Sequence, residues 1–141
     1  MKLAKMAMLV AGLVLIAAIG FNCAKESSPT SPGESTYLGT WRWVQSSGGY
    51  AGRTETPESV GFSRTLILAG SNVYQIYRDD LLLYNGLYYV SWEKRGWCAD
   101  SCFVISYENN PEEQIIISHA DTLELVDMCY DCYQHLYTRA R

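Results

Sequence analysis

The chain has 141 residues, and its fifteen acidic side chains outnumber eleven basic ones to give a formal net charge of −4. That balance argues against nucleic-acid binding, where basic charge facing phosphate dominates, and against a polybasic membrane-surface patch. All four Trp and all eleven Tyr lie after residue 36, so a single aromatic-rich core is expected there rather than two domains.

Met1, Lys2 and Lys5 form a short basic start, followed by an apolar run from Met6 to Phe21 that only Gly12 and Gly20 interrupt. A membrane-spanning helix needs about 20 apolar residues. The shorter run with its basic flank predicts a secretory signal peptide over residues 1–22. The stretch Ile19-Gly20-Phe21-Asn22-Cys23 resembles a bacterial lipobox, whose cysteine becomes the lipidated first residue of the mature protein. The resemblance implies that Cys23 carries the lipid and holds the protein to a membrane of the bacterial cell envelope. It implies the outer membrane in particular, with the domain facing the periplasm or the surface. An ordinary secreted chain with Cys23 incidental is the alternative. From Ala24 to Thr36 the composition is Ser, Pro, Thr, Gly and a few charges, which cannot bury enough apolar area to offset its entropy. Residues 23–36 are therefore expected to be a lipidated cysteine and a flexible tether. Removing residues 1–22 leaves 119 residues with nine basic and fifteen acidic groups, a net of −6.

No sustained helical period follows residue 36. β-branched and aromatic segments bounded by turn residues predict eight strands instead. The first is Thr40–Ser46, where Trp41, Trp43 and Gln45 alternate with Arg42 and Val44. A glycine-rich loop over residues 47–61 comes next. Then follow Ser63–Ala69, Val73–Arg78, Leu81–Trp92, Cys102–Tyr107, Glu113–Ser118, Thr122–Val126 and Gln134–Arg139. Turns are expected at residues 70–72, 79–80, 109–111 and 119–121. Gly86 reads as a bulge or bend within the fourth strand. A meander of this size leaves two raw edges unless it closes, so the fold class expected for residues 37–141 is an all-β, eight-stranded, antiparallel up-and-down barrel. A sandwich is the alternative, and only residues 47–61 and 93–101 are long enough to make its crossing connection.

Several short motifs carry a family resemblance. Leu38-Gly39-Thr40-Trp41 resembles the Gly-x-Trp opening of lipocalins, and Tyr137-Thr138-Arg139 is similar to their closing arginine. Together with Trp41-x-Trp43, Ser47-Gly48-Gly49, Thr56-Pro57, Thr65-Leu66-Ile67-Leu68, Gly86-x-Tyr88 and Leu123-x-Leu125, they resemble the lipocalin-like domains of small bacterial lipoproteins. The resemblance implies a barrel closed at one end by Gly39, Trp41 and Arg139, with residues 47–61 as a lid over an open mouth.

Meander geometry adds expectations of its own. Successive links alternate between barrel ends, so Arg139 should lie near Trp41 at one end, as a cation–π plug worth about 0.5–2 kcal/mol. Links 47–61, 79–80, 108–111 and 127–133 then share the other end. Trp43, Tyr50, Arg53, Tyr77, Tyr107, Tyr130 and Tyr133 are the candidate mouth residues for a ligand or partner. Four cysteines remain after Cys23, and an exported chain would pair them. Cys98 falls at the plugged end, while Cys129 and Cys132 fall at the mouth, roughly 17–20 Å away along strands of five to seven residues. Local disulfides Cys98–Cys102 and Cys129–Cys132 are therefore expected. The same separation disfavours a four-cysteine zinc site, and a redox Cys-x-x-Cys would want a helix N-terminus.

No catalytic constellation stands out, and no metal or cofactor is expected. His119 and His135 should lie at opposite ends, and a hydrolytic reading would need His135 buried beside a carboxylate and a nucleophile. Asp79-Asp80 and Glu112-Glu113 read as solvated turns, and Gly48-Gly49-Tyr50-Ala51-Gly52 precedes no helix that would cradle a phosphate. The expectation is a non-enzymatic, lipid-anchored envelope protein that holds a small apolar or amphipathic ligand at the barrel mouth. The alternative is a filled barrel whose mouth loops engage a protein partner or act as an inhibitor.

Overall fold

The computed structural model describes residues 36–141. The expected signal peptide, Cys23 and the expected tether as far as residue 35 lie outside the described residues. The strands are β1 (Gly39–Gly48), β2 (Arg53–Glu55), β3 (Arg64–Leu68), β4 (Val73–Arg78) and β5 (Leu81–Glu93). They continue with β6 (Cys102–Tyr107), β7 (Asn110–His119), β8 (Thr122–Asp127) and β9 (Tyr133–Arg139). A single helical turn, α1 (Pro57–Val60), follows β2. Every strand is antiparallel to its neighbours in the order β1-β3-β4-β5-β6-β7-β8-β9, and β9 pairs back onto β1. The molecule is thus a closed eight-stranded meander barrel, the fold class that alternation and turn spacing predict, with β2 as a short ninth strand. Closure gives the sheet no long unpaired edge.

Turn chemistry fixes the reversals. Arg78 pairs with Leu81, and between them Asp79 (φ 48°) and Asp80 (φ 67°) both take the left-handed conformation that a two-residue hairpin demands. Asp79 Oδ1 also accepts from the Ser63 backbone N–H at 2.7 Å, tying this tip to the start of β3. The β6–β7 hairpin turns at Glu108-Asn109, earlier than expected, so β7 begins at Asn110. Pro111 and Glu112 then bulge away from β6. A proline has no N–H to give the ladder, and a bulge suits it.

Three sequence expectations need correction. Residues 47–61 are not a lid-like loop: residues 53–55 pair with the end of β1, and Thr56 caps α1 through reciprocal bonds with Ser59. Phe62, just after α1, stacks on Trp43 with ring centroids 6.0 Å apart. The irregularity in β5 falls at Leu83 rather than Gly86, because Ile76 pairs with Tyr84 and Tyr77 with Leu82. Gly86 instead makes room for the Tyr74 ring, whose edge would lie 3.1 Å from an added Cβ. Lastly, β1 bulges at Val44, so the inward face runs Trp41, Trp43, Ser46 and does not include Gln45.

The core is densest at the end where the chain enters. Trp41, Leu66, Leu68, Tyr88, Ile105 and Leu123 are all nearly inaccessible there. Arg139 closes that end. Its guanidinium sits 4.2 Å from the Trp41 ring centroid and donates to Leu38 O (2.9 Å), Thr36 O (3.0 Å) and Ala120 O (3.2 Å). Gly39 (φ 134°) makes this possible, since a Cβ there would meet Arg139 Nη1 at 2.6 Å. Only glycine combines that backbone conformation with that space.

Arg139→Met keeps an apolar stem over Trp41 but strands three carbonyls and removes the cation–π contact. It is expected to lower stability by about 2–3 kcal/mol, seen as a lower urea midpoint at unchanged slope. Arg139→Lys should recover only part of the loss, because an ammonium lacks the planar fork that reaches three acceptors.

Candidate functional site

The end of the barrel opposite Arg139 is built differently. β1 and β9 face each other there as Ser46 and His135, and β8 supplies Asp127 beside them. Trp43 Nε1–H donates to Ser46 Oγ at 2.9 Å, and Ser46 Oγ shares a second hydrogen bond with His135 Nδ1, 2.6 Å away. His135 Nε2 faces Asp127 Oδ1 at 3.4 Å. From the other side Tyr107 donates to Gln114 Oε1 (3.0 Å), and Gln114 Nε2 donates to Asp127 Oδ1 (2.7 Å). The Tyr133 backbone N–H reaches Asp127 Oδ2 at 3.3 Å. Gln114 and the Tyr133 backbone thus both donate to one carboxylate, and Tyr107 reaches it through Gln114.

Partial burial pushes the Asp127 carboxyl up. The hydrogen bonds from His135, Gln114 and Tyr133, with the charge His135 carries when protonated, outweigh burial and hold it below the usual carboxylate range. His135 therefore does lie beside a carboxylate and a hydroxyl. Ser46, however, is only 3 % exposed, and its hydroxyl is engaged by Trp43 and His135 at once. The set passes hydrogen-bond order across the barrel and presents no accessible nucleophile.

Beside this network the barrel end is indented by a partly open pocket. A cavity of about 590 Å³ opens between the 79–80 and 108–109 hairpins. Leu66, Ile76 and Leu125 supply its apolar floor, and Tyr74, Tyr107 and Tyr137 line its walls. Asn85, Asn109, Asn110 and Glu112 form a polar rim with Leu83 and Tyr84, and Gln114 joins the wall to Asp127. Tyr74 and Tyr107 meet edge to face, with centroids 4.8 Å apart and planes at 63°. Burial above all, then the neighbouring Tyr137, Tyr74, Asp127 and Glu112, push the Tyr107 hydroxyl well above its ordinary pKa. Burial does the same for Tyr137, although Arg64 opposes it. Both remain neutral hydroxyls at any ordinary pH.

Of the mouth residues proposed from sequence, Tyr107 alone lines this cavity. Trp43 is buried beneath Phe62, with the Arg64 guanidinium 5.1 Å from its ring. Tyr50 and Arg53 project into solvent, and Tyr77 bonds Gln75. Tyr133 stacks on His135 beneath Gly49. Tyr130 is 86 % exposed and meets Trp97 with centroids 4.7 Å apart.

That last contact overturns the expected separation of the two cysteine links. Residues 94–101 fold back along the outside of β6 and β7, with Arg95 bridging Glu93 and Glu113, and reach the 127–133 link. The disulfides are nonetheless local, Cys98–Cys102 and Cys129–Cys132, with Cα separations of 5.9 and 5.5 Å. The Cys129–Cys132 turn delivers Cys132 O to the Gly49 N–H at 3.2 Å and Tyr133 N–H to Asp127, so it braces the network from outside. Compared with protein-family models, with curated proteins and with solved structures, the chain matches none.

A carboxyl whose pKa is lowered by folding adds stability above its unfolded value, near 3.9, and loses it as pH falls through the lower folded value. Wild type should therefore lose stability faster than Asp127→Asn as pH is lowered from about 5 towards 2. Urea midpoints taken across that range for both proteins check this. Parallel curves would mean that Asp127 contributes nothing charge-dependent.

Proposed function

We propose that this chain is a lipid-anchored protein of the bacterial cell envelope whose lipocalin-like barrel holds a small apolar or amphipathic ligand in its mouth. The cavity carries the reading. It has an apolar floor, tyrosine walls and a few convergent polar groups, which is how small-molecule sites are built. Its volume falls within the roughly 300–1,000 Å³ usual for such sites. The Arg139-plugged end and the end with the pocket belong to one eight-stranded barrel, a size whose interior can hold one small ligand. Two disulfides accord with export to an oxidising compartment, and a leader followed by Cys23 accords with lipidation there. The lipid on Cys23 would tie the domain to the membrane by the plugged end, leaving the mouth facing away. On this reading the protein is not an enzyme and uses no cofactor.

A second reading has its own observation. Trp97, Tyr130 and the strip Leu81–Tyr84 are exposed, and solvent-facing aromatic and leucine side chains of this kind suit a protein-interaction or inhibitor module.

Native mass spectrometry of residues 36–141 purified from cells, before and after organic extraction, separates the two. The expected result is a bound mass that extraction removes. A bare mass four hydrogens below the reduced value, unchanged by extraction, would leave the interaction module standing.

A further inference from the structure

The chemistry of the cavity wall narrows the ligand class, and this step rests on the binding reading above. Among the described residues, no lysine or arginine lines the cavity. Arg64 approaches from behind Tyr137 and is occupied there and over the Trp43 ring. One carboxylate, Glu112, stands at the rim, and a second, Asp127, lies directly behind the Gln114 amide. A fatty-acid carboxylate placed inside would face Glu112 at the rim, with no lysine or arginine in the lining to pair it. Desolvating an unpaired charge is costly, so such a ligand is selected against.

The same arrangement favours positive charge. Tyr74 and Tyr107 present ring surface in two orientations, Tyr137 and Tyr84 add more, and cations are attracted to the faces of such rings. The 590 Å³ volume leaves space for an apolar body against Leu66, Ile76 and Leu125. We propose that the mouth cavity binds a small organic ammonium ion, its cationic head among the tyrosines near Glu112 and its apolar body on the floor.

A matched series tests this: octyltrimethylammonium, octanol and octanoate, each titrated well below micelle formation into residues 24–141 with both disulfides formed. The described residues close their barrel and core on themselves, so this soluble chain keeps the site. Isothermal titration reads the affinities directly. The expected order is ammonium tightest, about tenfold or more ahead of octanol, with octanoate weakest. Glu112→Gln should cut the ammonium-to-octanol ratio about threefold or more, and added salt should shrink it in wild type. Octanol or octanoate binding as tightly as the ammonium overturns the proposal while leaving a binding cavity in place. No binding by any of the three overturns the cavity reading and this inference together. A Glu112→Gln protein with an unchanged ratio overturns the assigned role of that carboxylate.

Discussion

The structure depends on one seam, the pairing of β1 with β9. A meander of consecutive hairpins needs no long-range information except where its last strand must find its first. Here that seam is fastened at both ends by side chains standing directly across the ladder. Trp41 faces Arg139 at the plugged end, and Ser46 faces His135 at the mouth. Between them β1 takes in one extra residue at Val44. Gly48 adds a third constraint, since a Cβ there would sit 2.0 Å from Cys132 O, so the two backbones meet closer than any other residue allows. Because β1 also gives its first half to β3 and its last three residues to β2, slipping the seam would disturb both sides of the barrel at once.

Much of this was legible in the sequence, for a physical reason. Strand positions follow from period-two alternation, and the left-handed Asp79-Asp80 pair marks a hairpin whose register it also sets. The Gly39, Trp41 and Arg139 plug was legible because it sits at the two chain ends of the barrel, where no bulge intervenes. The network at the mouth was not. Extending the straight register from Trp41 opposite Arg139 would place Ser46 opposite Gln134, which points outward. The single extra residue at Val44 shifts it to His135. A bulge of one residue has no composition signal, yet it decides which side chains meet.

The cavity escaped the sequence in the same way. Tyr74, Tyr107 and Tyr137 are inward by alternation, but alternation does not say whether an inward ring fills space or borders it. That is set by Leu83, which interrupts the β4–β5 ladder, and by Pro111 and Glu112, which leave the β6–β7 ladder. Both irregularities lie at the same end and on the two hairpins between which the cavity opens. The β2 hairpin and α1 carry too few residues to show any period, and they turn the supposed lid into a cap over Trp43. The link from residue 94 to 101 was misplaced because link parity fixes only where a segment starts and ends. It leaves open where an eight-residue span travels in between.

The two halves of the barrel obey different rules, and the contrast bears on function. Near Arg139 the interior is apolar and close-packed, and the polar groups at its margin are satisfied by one guanidinium. At the other end an aspartate, a histidine, a glutamine and a serine occupy inward positions that leucine or valine would fill with less demand for precise hydrogen bonding. Each is nevertheless satisfied, and among the described residues no buried side-chain nitrogen or oxygen lacks a partner. Departures of this kind from the economical core, gathered in one place beside an open cavity, are where a small fold holds its specific chemistry. The Gln114 amide and the Tyr133 N–H both donate to Asp127 and help hold its carboxyl below the usual range, while burial keeps Tyr107 and Tyr137 neutral beside it.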